Sequence, residues 1–379
     1  MGGVRDGGVG TAPTLSWPPP HPGGWRDGDP VGDRRFLDLD GPFRLERGGS
    51  LPAVRVAYET WGTLAADGRN AVLVEHALTG DSHVTGPAGP GHPTPGWWSG
   101  LVGPGSALDT DRFFVVCANV LGGCQGTTGP SSLASDGGFW GSRFPQVTVG
   151  DQVRVEAALA DALGVTSWAC VAGGSMGGMR ALEWAVALPD RVESLFFLAS
   201  GAVASADQIG TQTTQQAAIR TDPAWAGGDY LPSRGPVAGL GIARRIAHLS
   251  YRSAVELDTR FGTAVQPDGR YAVASYLDHH ADKLGRRFDA GSYVLLTEVM
   301  NSWDVGRDRG GVEAALSRVT ARALVAGVDT DRLYPLAQQQ RVADALGVPL
   351  HVIESPYGHD AFLIEVDAVG ALLRRLLAD

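Results

Sequence analysis

Trp168-Ala169-Cys170-Val171-Ala172-Gly173-Gly174-Ser175-Met176-Gly177-Gly178-Met179 is the stretch that decides the fold. Its first five residues are apolar and predict a strand buried on both faces, and 176–188 repeats apolar residues at helical spacing. Between the two stands a G-x-S-x-G with Ser175 at its centre. Passing directly from strand to helix forces such a serine into strained backbone angles. Flanking glycines are needed because a Cβ would collide with the neighbouring strand or helix. The turn lifts the hydroxyl to the carboxyl edge of a sheet, at a helix N-terminus that favours developing negative charge. An ordinary glycine-rich turn would share the glycines, but the strand before and the helix after favour a nucleophile.

A serine hydroxyl is a poor nucleophile near neutral pH. It needs a base, itself oriented by a carboxylate, in the chain order Ser, then Asp or Glu, then His for this kind of turn. Asp329-Thr330-Asp331-Arg332-Leu333-Tyr334-Pro335 follows a predicted strand over 323–328, and Tyr357-Gly358-His359-Asp360 follows another over 350–354. Position alone does not choose between Asp329 and Asp331. His351 is the rival base, but it opens a strand and so points toward the wrong end of the sheet. An oxyanion hole would use the amide after the serine, Met176, and one from His76-Ala77-Leu78-Thr79-Gly80, where Leu78 is best placed after a strand ending at Glu75.

Further strands are predicted over 54–58, 71–75, 113–119 and 194–199, with a helix over 151–163, which is the alternation of a mostly parallel α/β sheet flanked by helices. Between 201 and 309, helix-like segments such as 241–252 and 292–303 follow one another with no strand. The expected organisation is a core over 36–200 and 310–379 with a helical lid inserted over 201–309. Residues 1–35, with Trp17-Pro18-Pro19-Pro20 and repeated glycine pairs, predict a flexible arm, since proline removes donors and glycine maximises chain entropy.

A net charge of −10 argues against a phosphate backbone or an anionic membrane as partner. Lys283 is the single lysine of the chain, so there is no P-loop lysine and one candidate for Schiff-base chemistry. Cys117, Cys124 and Cys170 are too few and too irregularly spaced for a disulfide framework or a zinc site, and reduced thiols suit the cytoplasm. No run reaches the ~18 apolar residues of a membrane span, and no secretory signal opens the chain. His279-His280 do not share a helix face, so no metal is expected there. Gly239-Leu240-Gly241 lacks a preceding strand and has Arg244 at the third glycine position of a dinucleotide loop, so it reads as a helix start. Trp97 and Trp98 read as packing residues, and Cys124 has no adjacent base to activate it.

From about residue 38 to its end the chain resembles the homoserine O-acetyltransferases, acyltransferases of the α/β-hydrolase superfamily. The resemblance is carried by Tyr58-Glu59-Thr60-Trp61-Gly62, His76-Ala77-Leu78-Thr79-Gly80-Asp81-Ser82-His83, Gly96-Trp97-Trp98, Gly103-Pro104-Gly105 and Asp109-Thr110-Asp111-Arg112. It continues through the block from Asn119 to Ser132 and through Gly173-Gly174-Ser175-Met176-Gly177-Gly178. It implies Asp331, which precedes x-Leu-Tyr-Pro, as the acid and His359 as the base. It also implies a lid that forms a tunnel to Ser175 and pairs two subunits. Arg244 would receive an amino acid's carboxylate, Asp360 its amine, and Thr79 would join them as a substrate-binding residue. Ser106 departs from the family, which often shows Lys there, and the long arm lies outside its pattern.

The implied activity is transfer of acetyl from acetyl-CoA to the side-chain hydroxyl of L-homoserine, through an acyl-serine and toward methionine. Acetyl-CoA would be a substrate, and no bound cofactor is expected. An esterase or thioesterase is the second enzyme reading, because a triad does not itself choose water or alcohol as acceptor. A binding protein on the same scaffold would need a missing triad member, and none is missing.

Overall fold

The computed structural model describes residues 23–378. Eight strands form one sheet: β1 (Arg35–Arg44), β2 (Ser50–Trp61), β3 (Ala71–Glu75), β4 (Phe114–Ala118), β5 (Trp168–Gly174), β6 (Ser194–Leu198), β7 (Arg322–Val328) and β8 (Leu350–Ile353). Their spatial order is β1-β2-β4-β3-β5-β6-β7-β8. β1 and β2 pair antiparallel, as do β2 and β4, and the remaining neighbours are parallel. Every residue of β3, β4 and β6 is buried, because each of these strands is covered on both faces.

Alternation along the strands divides the core in two. Ala71 and Leu73 face a cluster that includes residues of α1 (Val149–Leu163), α2 (Met176–Ala187) and α9 (Leu336–Leu346). Val72 and Val74 face the other, with Trp98, Leu101 and residues of α10 (Val366–Ala378). Trp98 is fully buried and its indole N–H donates to the Phe362 carbonyl at 3.0 Å, so it packs as expected.

The chain leaves the sheet after β6 and returns at β7. Between them lie α3 (Ala206–Arg220), α4 (Val237–Tyr251), α5 (Ala254–Arg260), α6 (Ala272–Gly285), α7 (Ala290–Asn301) and the short α8 (Val312–Leu316). α4 contains Gly239-Leu240-Gly241 in its first turns. α3 starts on a capping box in which the Ser205 hydroxyl accepts from the Gln208 amide and the Gln208 side chain returns a bond to the Ser205 backbone.

The arm expected over 1–35 needs a correction in its second part; residues 1–22 lie outside the described residues. Residues 23–34 are held against the body. The Trp25 amide donates to the Cys124 carbonyl at 2.8 Å and its ring lies 5.0 Å from that of Phe36. Arg34 is buried, with Nη1 donating to the Gly91 carbonyl at 2.6 Å and Nη2 to Gln125 Oε1 at 2.9 Å. An apolar ring and a fork of five donors give this glycine-rich segment enough partners to offset its chain entropy.

Candidate active site

Ser175 sits where β5 meets α2, with φ 59° and ψ −126°. The glycines around it are required by space: a Cβ on Gly173 would lie 2.2 Å from the Gly177 carbonyl oxygen, and one on Gly177 would lie 2.0 Å from that of Glu75. The sequence-predicted strain and crowding are therefore both present.

His359 Nε2 lies 2.9 Å from Ser175 Oγ, and His359 Nδ1 lies 2.6 Å from Asp331 Oδ2. All three residues are buried. The other Asp331 oxygen accepts from the amides of Leu333 and Tyr334 at 2.8 and 2.9 Å, which fixes the carboxylate. Asp329 is exposed and accepts instead from the Ser355 amide at 3.0 Å. His351 lies within β8 and has no contact with this group. Position along the chain left the two aspartates open, and the geometry brings Asp331 to the histidine. Tyr334 stacks on the His359 ring at 5.1 Å, and Phe362 meets its edge at 5.3 Å, so the imidazole is walled by aromatics.

Leu78 lies in the loop after β3 and Met176 opens α2; both are buried. Among the described residues neither backbone N–H donates to an acceptor of the chain, so both remain free for an oxyanion.

Above the triad, Arg244 on α4 donates from Nη1 to the Thr79 hydroxyl at 3.3 Å and lies over the Tyr251 ring. Asp360 follows His359 directly, and its Oδ2 lies 3.1 Å from Arg252 Nε without hydrogen-bond alignment. Burial raises the Asp360 carboxyl above the usual carboxylate range, against the pull of Arg252 and Arg244. Arg244 and Asp360 share a cavity of about 190 Å³ with Arg252, Lys283, Arg287 and His248. Burial, with the neighbouring Arg244, pushes His280 down to about 3 and His248 lower still, so both stay neutral beside the cations.

Arg252 and Arg287 are not among the sequence candidates, and Lys283 is singled out there only for Schiff-base chemistry, not as part of this cavity. Arg252 also has Glu256 at i+4, within 3.8 Å, and in the sequence that spacing reads as an ordinary surface helix pair.

One cluster elsewhere brings metal-ligand types together: Asp33, Glu59, His83 and His92 offer ligand atoms within 4.8 Å of one another. Part of its donor set is already engaged within the chain. Glu59 accepts from His83 Nδ1 at 2.9 Å and from the Ser82 hydroxyl at 2.7 Å, and His92 Nε2 accepts from the Asp33 amide at 3.0 Å. Burial pushes the Cys124 thiol up, which keeps it protonated.

A family model for the alpha/beta hydrolase fold matches residues 70–366. The homoserine O-acetyltransferase of Thermobifida fusca is 62% identical over 373 residues, covering 95% of this chain and 98% of the relative. The chain belongs to the homoserine O-acetyltransferase family. A solved homoserine O-acetyltransferase from Bacillus anthracis superposes with a TM-score of 0.83 at 25% identity, covering 91% of this chain and 98% of that one. Esterase E22 superposes equally well, with a TM-score of 0.82 at 26% identity over 91% of this chain and all of its own. Fold alone therefore does not separate a homoserine O-acetyltransferase from an esterase, and the groups around the nucleophile must.

Proposed function

We propose that this chain transfers the acetyl group of acetyl-CoA to the side-chain hydroxyl of L-homoserine, as its family membership implies. Ser175 Oγ attacks the thioester carbonyl while its proton passes to His359 Nε2. The tetrahedral oxyanion rests on the Leu78 and Met176 amides, and its collapse expels CoA thiolate, which takes the proton from His359. Homoserine then enters, its hydroxyl gives a proton to the same nitrogen and attacks the acyl-serine, and Ser175 leaves with that proton restored. Asp331 holds the imidazole in the tautomer that can accept and stabilises the imidazolium in each half. Acetyl-CoA is consumed as a substrate, and the scheme uses no metal or resident cofactor.

The observation that carries this reading is the pairing of a complete triad with a cation and an anion in one adjoining cavity, Arg244 and Asp360. A guanidinium fork suits a carboxylate and a carboxylate suits an ammonium, so the two fix a zwitterion with its side chain toward Ser175. Hydrolysis is the second reading, supported by the likeness to esterase E22. It has no use for such a pair.

A second copy on the lid is supported by exposed apolar side chains there. Ile242 and Leu249 are exposed on α4, with Leu231, Val255, Val265 and Tyr271 elsewhere in the insertion. No helix of the described residues is long and apolar enough to cross a membrane. Three unpaired, buried cysteines suit a cytoplasmic setting.

Initial rates with homoserine and serine crossed against acetyl-CoA and succinyl-CoA test the proposal. The expected result is the highest kcat/KM for homoserine with acetyl-CoA, well above hydrolysis. Hydrolysis unaffected by any amino-acid acceptor would replace it with the esterase reading.

A further inference from the structure

A trans peptide group is rigid, and its N–H points opposite to its C=O. The direction of an oxyanion donor is therefore set by whatever holds the carbonyl of the same peptide unit. The Leu78 N–H shares its peptide with the Ala77 carbonyl, and the Met176 N–H shares its own with the Ser175 carbonyl; both peptides are trans.

The Ala77 oxygen has two donors. One is the Gly80 amide at 2.8 Å. The other is the His76 imidazole, whose Nδ1 lies 2.8 Å away. The tautomer of that ring is forced: its Nε2 lies 3.1 Å from the Val120 amide, which can only donate, so Nε2 accepts and Nδ1 carries the hydrogen. His76 is buried, and burial together with the adjacent Arg180 pushes it down to about 3, so it stays neutral and keeps that tautomer. Arg180 Nη2 donates to the His76 carbonyl at 2.7 Å, tying the same loop to α2.

The Ser175 oxygen is held likewise. It accepts from the amides of Gly178 and Met179 at 2.9 and 3.3 Å and from the Ser200 hydroxyl at 2.8 Å. Ser200 is fully buried and is itself anchored, its carbonyl accepting from Gln339 Nε2 at 2.6 Å.

We infer that His76 and Ser200 are positioning residues for the oxyanion hole, each aiming one donor amide by holding the carbonyl of the peptide to which that amide belongs. Neither touches the reacting atoms. The inference rests on the proposed use of the Leu78 and Met176 amides and goes beyond it, because it says what keeps those amides aimed before substrate arrives.

Two substitutions at one position separate this role from a structural one. In His76→Asn the side-chain amide N–H stands where Nδ1 stood, so the Ala77 bond can persist and the Val120 bond is lost. In His76→Gln the longer side chain reaches the Nε2 position, so the Val120 bond can persist and the Ala77 bond is lost. Losing an oxyanion donor outright costs about 10²–10³ in kcat, and misaiming one costs part of that. The expected result is a kcat lowered by roughly 10- to 100-fold in His76→Gln, with KM for acetyl-CoA and homoserine little changed and His76→Asn close to wild type. The loss should appear equally in p-nitrophenyl acetate hydrolysis, which needs no amino-acid subsite. Ser200→Ala, one donor of three removed, should lower kcat by up to about 10-fold in the same assays.

His76→Gln at wild-type kcat, or Asn as impaired as Gln, overturns the role of His76. Ser200→Ala at wild-type kcat overturns that of Ser200, and this variant also serves if neither His76 variant folds. Ser175→Ala is the control: if it retains turnover, the catalytic reading itself fails, whereas an inactive Ser175→Ala beside a fully active His76→Gln removes only the positioning role.

Discussion

At the carboxyl edge of the sheet each polar group is fixed by the chain itself: Asp331 by two amides, the Ser175 carbonyl by two amides and the Ser200 hydroxyl, and the His76 ring by the Val120 and Ala77 backbone. In the lid, Arg244, Lys283 and Arg287 face a cavity and have no carboxylate partner among the described residues; Asp360, which lines it too, lies against Arg252. The sheet edge is prepared for a charge that develops in a transition state, and the lid for charges that arrive with a substrate. Damage to the first should lower turnover, and damage to the second should weaken binding.

The largest expected effect is at the sheet edge. Asp331→Asn should lose on the order of 10⁴ in kcat, as when the carboxylate of a serine triad is made neutral, while Asp329→Asn stays active. Steady-state rates for the pair check this, and an inactive Asp329→Asn beside an active Asp331→Asn would reverse the assignment of the acid.

Behind the nucleophile, Arg180 lies fully buried, 2.7 Å from Glu156 and 2.8 Å from Glu75. Arg180→Met leaves two buried carboxyls without their cation and should destabilise the fold by about 3–5 kcal/mol, read from denaturant unfolding. A loss below about 1 kcal/mol would show that the carboxyls manage without it.

The lid comes next. Arg244→Ala and Asp360→Asn should each raise KM for homoserine by the equivalent of about 2–5 kcal/mol and leave acylation of Ser175 by acetyl-CoA nearly unchanged. Parallel loss of acylation would erase the distinction between the two regions.

The two regions also differ in their response to pH. Binding an ammonium needs Asp360 ionised, and its carboxyl is raised by burial. KM for homoserine should therefore climb on acidification at a higher pH than an ordinary aspartate titrates, and the climb should vanish in Asp360→Asn. His76 affects stability instead. Its imidazole is pushed from 6.5 down to about 3 in the folded chain, so below about pH 6.5 the unfolded chain takes up a proton that the folded one refuses. Stability carried by His76 is present above that pH and is lost as the pH falls toward 3, on the order of 5 kcal/mol across the full window. Unfolding free energies of wild type and His76→Asn across that range should converge with acidification.

The same contrast explains how much could be read before the fold was known. Seven of the eight strands and the turn at Ser175 are marked by local runs of apolar residues and glycines. β1 is not, because it is an edge strand bearing Asp38 and Asp40, and Asp38 finds its partner in Arg55 only across the sheet. Ser175, His359 and a choice of two aspartates follow from strand ends; that Asp331 is the one at the histidine depends on a half-turn of loop that spacing does not encode. Arg252 lies over a hundred residues from Asp360, and the aim of the Leu78 amide depends on a tautomer set by Val120. Neither leaves a local pattern.

Intact-protein mass spectrometry after mixing with acetyl-CoA alone shows whether Ser175 carries the acetyl group between donor and acceptor. One acetyl adduct is expected, located on the peptide containing Ser175, lost in Ser175→Ala and discharged by homoserine. An adduct that survives Ser175→Ala, or one that homoserine does not discharge, would contradict it.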